Sequence, residues 1–175
     1  MKKLLLLTVF FSSFIFGQNQ DDLNKYTNLI NIPIADALQQ MVIKPKDKTE
    51  ILGVTRVIYS KSDHIIGFTE STKDNGLVGD VFVYTQNSND PVKKWYTVYQ
   101  NILKDTDYKE VQANYEDTNK NFKTNDLKIN EIVQLLRSLN STAKISWGVV
   151  YKKGDIFYSI YVLGDKFVYK VSDHK

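Results

Sequence analysis

The residues able to do chemistry in this chain are few. It carries two histidines, His64 and His174, and no cysteine. Without Cys there are no disulfides, no thiolate metal sites, no Cys nucleophile and no lipidated N-terminal Cys. His64 follows Asp63, with Ser60 and Ser62 close by. A Ser-His-Asp triad converges from separated segments, however, not from neighbours in one turn. Two His and no Cys also argue against a catalytic zinc site. Asp117-x-Asn119-x-Asn121 opens like a calcium loop, but the sixth and twelfth positions, which want Gly and Glu, are Phe122 and Lys128. Neither a Gly-x-x-x-x-Gly-Lys phosphate loop nor a Gly-x-Ser-x-Gly nucleophile elbow occurs. A carboxylate pair for glycoside hydrolysis needs proximity in space, not in sequence. Glu50, Glu70, Glu110, Glu116 and Glu131 are available, and Glu70 is the odd one because it lies in an otherwise apolar strand. No catalytic residue, metal ligand or cofactor is assigned.

A motif recurs instead: GDVFVY at 79–84, GDIFYS at 154–159 and GDKFVY at 164–169. Its Gly-Asp is read as turn chemistry. Gly164-Asp165 suits a two-residue hairpin loop of type II′. Gly154-Asp155 ends a longer loop over Lys152–Asp155, where Gly supplies a left-handed residue. Gly79-Asp80 falls inside a strand and reads as a bulge. Asp80, Asp155 and Asp165 are therefore not one catalytic set.

These turns fix the C-terminal strands. The expected pairs are Tyr151 with Ile156, Val149 with Tyr158, Trp147 with Ile160 and Ile145 with Val162. Across the next hairpin they are Val162 with Phe167, Ile160 with Tyr169 and Tyr158 with Val171. All these side chains share one face because strand side chains alternate, and that face is expected to bury under helices. The opposite face carries Ser146, Gly148 and Val150, then Phe157, Ser159 and Tyr161, then Val168 between Lys166 and Lys170. Gly148 opposite Ser159 is expected to leave a low spot flanked by Phe157 and Tyr161. Phe157, Tyr161, Gly148, Ser159 and Val168 are thus the candidate binding residues for a peptide or a sugar.

The positioning elements follow from pattern. Residues 21–41 read as two short helices restarted at Pro33. Strands are expected at 51–59, 64–71 and 77–86, with Asn75-Gly76 as a hairpin turn. Asn89-Asp90-Pro91 caps a helix whose apolar face is Val92, Trp95, Tyr96, Tyr99, Ile102 and Leu103. A short strand at Tyr108–Ala113 and a polar loop at 114–126 come next. A second helix over 126–139 is capped by Thr124 or Asn125, with Leu127, Ile132, Leu135, Leu136 and Leu139 inward. Strands 144–151, 156–163 and 166–172 close the chain. VIYSKSDHIIGF (57–68) and VVYKKGDIFYSI (149–160) share hairpin grammar. The fold class is α+β: two antiparallel three-stranded β-meanders with packed α-helices in a single domain, forming one sheet or two adjoining ones.

Met1-Lys2-Lys3 followed by an apolar run to Phe16 has the form of a secretory signal peptide. The run is too short for a spanning helix, which needs ~20 residues. Cleavage is placed after Gly17, although Ile15 departs from the usual small residue. Residues 18–175 form the mature domain, long enough to bury roughly 70% of its unfolded surface. Losing Lys2 and Lys3 takes the 23 basic residues to 21 against 20 acidic ones, a net charge of +1. The lysines are scattered, which argues against nucleic acid as a partner. All eleven tyrosines lie in the mature part and suit a half-wet sheet face. The expectation is a periplasmic or secreted, non-enzymatic binding domain with a protein or glycan partner and no integral membrane association after signal removal. A carboxylate-based hydrolase of envelope polysaccharide and a small apolar-ligand carrier are the alternatives.

Overall fold

Alternation of apolar and polar side chains draws nine segments of the described chain into one antiparallel sheet. The computed structural model describes residues 23–41, 44–51, 54–60, 64–74, 76–85, 90–139 and 144–174. The expected signal peptide, residues 1–17, lies outside the described residues. Nine strands are present among them: β1 (Asp47–Ile51), β2 (Val54–Ser60), β3 (His64–Glu70), β4 (Val78–Thr85), β5 (Lys109–Asp117), β6 (Phe122–Thr124), β7 (Ile145–Lys153), β8 (Ile156–Leu163) and β9 (Lys166–Ser172). Their spatial order is β1-β2-β3-β4-β9-β8-β7-β5-β6. The expected meanders β2-β3-β4 and β7-β8-β9 are both there, and they account for six of the nine strands. They fuse through the β4–β9 pair, with Val81 opposite Val171 and Val83 opposite Tyr169. Strands β1 and β6 replace expected loops, and β5 runs four residues beyond its expected end. The last strand of the chain, β9, is thus the central strand of the sheet.

Hairpin geometry accounts for the register. Gly154 and Gly164 have φ of +59° and +63°, the left-handed start of a type II′ loop. The β8–β9 pairs are those expected: Val162 with Phe167, Ile160 with Tyr169 and Tyr158 with Val171. The β7–β8 pairing is corrected by two residues, because Gly154-Asp155 is itself a two-residue loop and not the end of a longer one. Tyr151 faces Tyr158, Val149 faces Ile160 and Trp147 faces Val162. An even shift keeps every side chain on its expected face. The β2–β3 hairpin has the same spacing, with Val57 opposite Phe68 and Tyr59 opposite Ile66. Gly79 is the extra residue of a bulge, since Thr69 pairs with Asp80 but Glu70 with Val78.

Among the described residues, helices cover one face only. Asp90 caps α2 (Pro91–Leu103), its carboxylate accepting from the Lys93 N–H at 2.8 Å. Trp95, Val98, Tyr99 and Ile102 form the buried side of α2. Tyr96 and Leu103, expected inward, are exposed. Trp95 stacks on Tyr99 at 5.1 Å, meets Trp147 edge-on at 5.9 Å and donates to the Ile160 carbonyl at 3.3 Å. The cap of α3 (Ile129–Arg137) is Lys128, not Thr124 or Asn125, because β6 has already claimed Thr124. There the Glu131 carboxylate accepts from the Lys128 N–H at 2.6 Å. Ile129, Ile132 and Val133 bury against β5 and β7, whereas Leu135 points outward. The N-terminal segment is a 3-10 helix (Leu23–Leu29) followed by α1 (Ile34–Gln39). Tyr26 stacks on Tyr169 at 6.1 Å, and residues 31–34 hydrogen-bond to Gly76 and Val78 at the start of β4. Each fully buried aliphatic or aromatic side chain in this layer contributes about 1.5–3 kcal/mol. No described helix is long and apolar enough to cross a membrane.

A polar trough on the helix-free face of the sheet

The ring and hydrogen-bond contacts between the described helices and the central strands lie at Trp147, Tyr158, Ile160 and Tyr169. The other face carries no helix among the described residues, so its own side chains must cover it. Read straight across the strands, one row on that face is Lys170, Ser159, Val150 and Gln112. The next row is Val168, Tyr161, Gly148 and Asn114, and on the other side lie Ser172, Phe157, Lys152 and Lys109. Small side chains at Ser159 and Val150 leave a depression of about 350 Å³ lined by Gln112, Asn114, Lys123, Asn125, Val150, Ser159, Tyr161 and Lys170. Its lining spans β6 to β9, four strand spacings, or ~19 Å at ~4.8 Å each.

The sequence-predicted residues divide between this trough and its surroundings. Ser159 and Tyr161 line it. Ser159 and Val150, 3% and 8% exposed, are its floor. Gly148 is not the low spot. It pairs with Tyr161, not Ser159, and the Tyr161 ring lies on it: an added Cβ would sit 1.8 Å from Tyr161 Cδ1. The two-residue correction of the β7–β8 register moves the depression one row, from Gly148 to Val150. Val168 is the buried neighbour of Tyr161 on β9. Phe157 stands in the row beyond, with the Lys152 ammonium 5.5 Å from its ring centre. Phe157 and Tyr161 are both half-buried, neither widely exposed nor under a helix.

Sequence reasoning missed Gln112, Asn114, Lys123, Asn125 and, as a lining residue, Lys170. The first four reach the trough because β5 crosses from α2 to the far side of β7, a long-range pairing with no local signature. The signal that existed was the alternation in KEVQANYED, which puts Gln112, Asn114 and Glu116 on one face and Ala113 and Tyr115 on the other. The side chains of Gln112, Asn114, Asn125 and Ser159 make no hydrogen bond within the described chain. The two ammonium groups are each steadied from outside the trough, Lys170 by Asp80 at 3.1 Å and Lys123 by Glu116 at 3.5 Å.

A second polar cluster joins the C-terminus to the turn after β3. The Ser71 hydroxyl donates to Asp173 Oδ2 at 2.8 Å, and Asp173 Oδ1 lies 2.5 Å from His174 Nδ1. The three residue types are those of a triad, but the wiring is wrong. A nucleophilic Ser must donate to His, whereas Ser71 gives its proton to the carboxylate and accepts from the N–H groups of Lys73 and Asp74. Burial pushes the Asp173 carboxyl up, but the hydrogen bonds from His174 and Ser71 and the nearby charges of His174 and Lys73 outweigh it and hold it below its ordinary value. The cluster ties the segment just after β9 to the turn after β3.

The acidic residues are similarly engaged. Glu70 accepts from the Thr55 N–H at 2.8 Å and from the Gly76 N–H, tying two hairpins together, and these bonds hold its carboxyl below the ordinary range. Glu110 accepts from the Ile129 N–H at 3.2 Å. Asp117 closes the β5–β6 turn through the Asn119 N–H at 3.0 Å and Lys120 at 3.5 Å. His64 is buried at the start of β3. No group of three or more His, Asp or Glu side chains placed to hold a metal ion occurs among the described residues. No family model matches the chain, and no curated protein or solved structure matches it.

Proposed function

We propose that this protein is an exported, non-enzymatic binding domain that takes its ligand in the trough across β5, β7, β8 and β9. The observation carrying the reading is a set of amide and hydroxyl groups on Gln112, Asn114, Asn125 and Ser159 that have no partner within the described chain and border the half-exposed ring of Tyr161. Polar groups gathered in a concavity without internal partners are where an external ligand finds its hydrogen bonds. The volume, about 350 Å³, lies at the low end for small-molecule sites, which suits a small ligand or one segment of a longer chain. Export rests on the Met1–Phe16 pattern. The hydrolase alternative gains nothing here, because no carboxylate lines the trough.

The test is a chemical-shift titration of the purified protein against oligosaccharides and short peptides. Perturbed amides clustering on residues 110–114, 148–152, 157–161 and 168–171 support the proposal. Perturbations gathered on the helical face sink it.

A further inference from the structure

Which ligand fits depends on what the trough offers, atom by atom. Its polar lining is three side-chain amides, two hydroxyls and two ammonium groups, and it contains no carboxylate. Amides and hydroxyls each donate and accept, so they match a ligand that does both at many points, as a polyhydroxylated chain does. The ammonium groups of Lys123 and Lys170 stand on the outermost strands of the lining, β6 and β9. They stand one at each end of the trough, each in an ion pair that a ligand anion would share or displace. The two carboxylates that pair with them, Glu116 and Asp80, lie outside the lining. The ring of Tyr161 is pressed onto Gly148 on its inner side and makes no ring-on-ring contact among the described residues. Its outer side is left as a platform for an apolar C–H face.

A peptide fits these features less well. Extended peptides gain affinity by adding to a free strand edge and by placing alternate side chains in pockets. The trough crosses strands β5, β7, β8 and β9 on the face of the sheet, where the backbone is already paired, and meets an open edge only at the three residues of β6. It offers side-chain groups repeated at the strand spacing and an apolar floor of one residue, Val150.

We infer that the ligand is an acidic oligosaccharide, lying across the strands with its sugar hydroxyls on Gln112, Asn114, Asn125 and Ser159, one ring on Tyr161 and its anionic groups toward Lys123 and Lys170. This rests on the trough being the binding site proposed above. The anionic groups are carboxylates or sulfates, since an ammonium group accepts either as a point charge.

The experiment titrates the purified protein with four probes: tetragalacturonate, a chondroitin sulfate tetrasaccharide, neutral maltotetraose and tetraglutamate. Trough amides are expected to shift with one or both acidic sugars, at a dissociation constant of about 1 mM or tighter. Which of the two binds more tightly identifies carboxylate or sulfate as the preferred anion. Binding weakens as salt rises from ~0.05 to ~0.5 M. Lys170→Gln and Lys123→Gln each weaken it about 5–10-fold, and Lys170→Arg restores it. Lys123 has a widely exposed side chain, so its variant keeps the fold whatever Lys170→Gln does. Maltotetraose binding in the trough as tightly as the acidic sugars overturns the charge requirement and leaves the binding site standing. Tetraglutamate binding in their place overturns the glycan. No shift on the trough with any probe overturns this inference and the proposed site together.

Discussion

Replacing Gly148 by Ala tests the central geometric claim about the trough. In the folded chain the new Cβ would sit 1.8 Å from Tyr161 Cδ1, 2.4 Å from Cε1 and 2.8 Å from Cγ, against ordinary contact at 3.4 Å or more. The ring has to rise by about 1.6 Å or swing away. It sits on an open sheet face, so it can do so, and the cost falls in the ordinary overpacking range of ~1–3 kcal/mol. Against this, Ala in a strand gains ~0.5–1 kcal/mol over Gly through lower chain entropy in the unfolded state. The net expectation is a loss of about 0–2.5 kcal/mol, read from urea unfolding at unchanged m-value. The decisive variant is the double one. With Tyr161→Ala in place the obstacle is gone, and Gly148→Ala should become stabilising by ~0.5–1 kcal/mol. A cycle in which Gly148→Ala costs the same with and without the Tyr161 ring refutes the packing described here.

Four further outcomes follow from the same structure. Trp95→Phe removes the indole donor to the Ile160 carbonyl and part of the contact with Trp147, and should cost about 2–3 kcal/mol in urea or thermal unfolding. The Tyr151 hydroxyl is buried without a hydrogen-bond partner, and burial pushes its pKa well up. Tyr151→Phe should therefore leave stability unchanged or raise it by about 1 kcal/mol, and a clear loss would reveal a hidden partner. Glu70, Asp105 and Asp173 all titrate below their ordinary values: Glu70 through the Thr55 and Gly76 N–H groups, Asp105 through Lys153 and the Asp107 N–H, and Asp173 because its hydrogen bonds outweigh burial. A depressed carboxyl stabilises the fold above its unfolded pKa of about 4 and loses that contribution as pH falls through the folded value. The midpoint of thermal unfolding should be flat down to about pH 5 and fall below about pH 4, less steeply in Glu70→Gln. In binding, Tyr161→Ala should abolish the response of the trough, whereas Phe157→Ala, one row away, should leave it within about twofold; equal losses would move the site toward Phe157.

How far the fold was legible depended on where each residue's partner lay. The β8–β9 pairing was readable because Gly164-Asp165 sets the loop and the apolar side chains of both strands alternate from it. The β7–β8 pairing slipped by two because Lys152 and Lys153, polar residues next to a turn, look like loop. They are paired with Phe157 and Ile156. Edge strands were invisible for a physical reason. Strand β1, DKTEI, carries the charges that protect an open edge from pairing with another chain, and these also make it resemble a linker. Helix α2 was found from its cap and proline, yet Tyr96 and Val98 exchanged places between solvent and core, since a helix at this spacing admits more than one inward face. The trough was half legible. Ser159 and Tyr161 belong to a local hairpin, whereas Gln112 and Asn114 arrive through the non-local β5–β7 pairing, which one sequence does not encode in any short window.

The central position of β9 sets the order in which this molecule can be completed. A chain made from its N-terminus presents β1 to β4 long before Lys166–Ser172 exists. Until then β4 is an open border of Val78, Val81, Phe82 and Val83, side chains that are all buried in the finished sheet. The same holds for the other half, where β8 waits for the same strand. The halves join only once Lys166–Ser172 has been made, so a chain cut before it holds two unfinished sheets with two sticky borders. Loss of Lys166–Ser172 therefore disturbs the middle of this sheet and not its border.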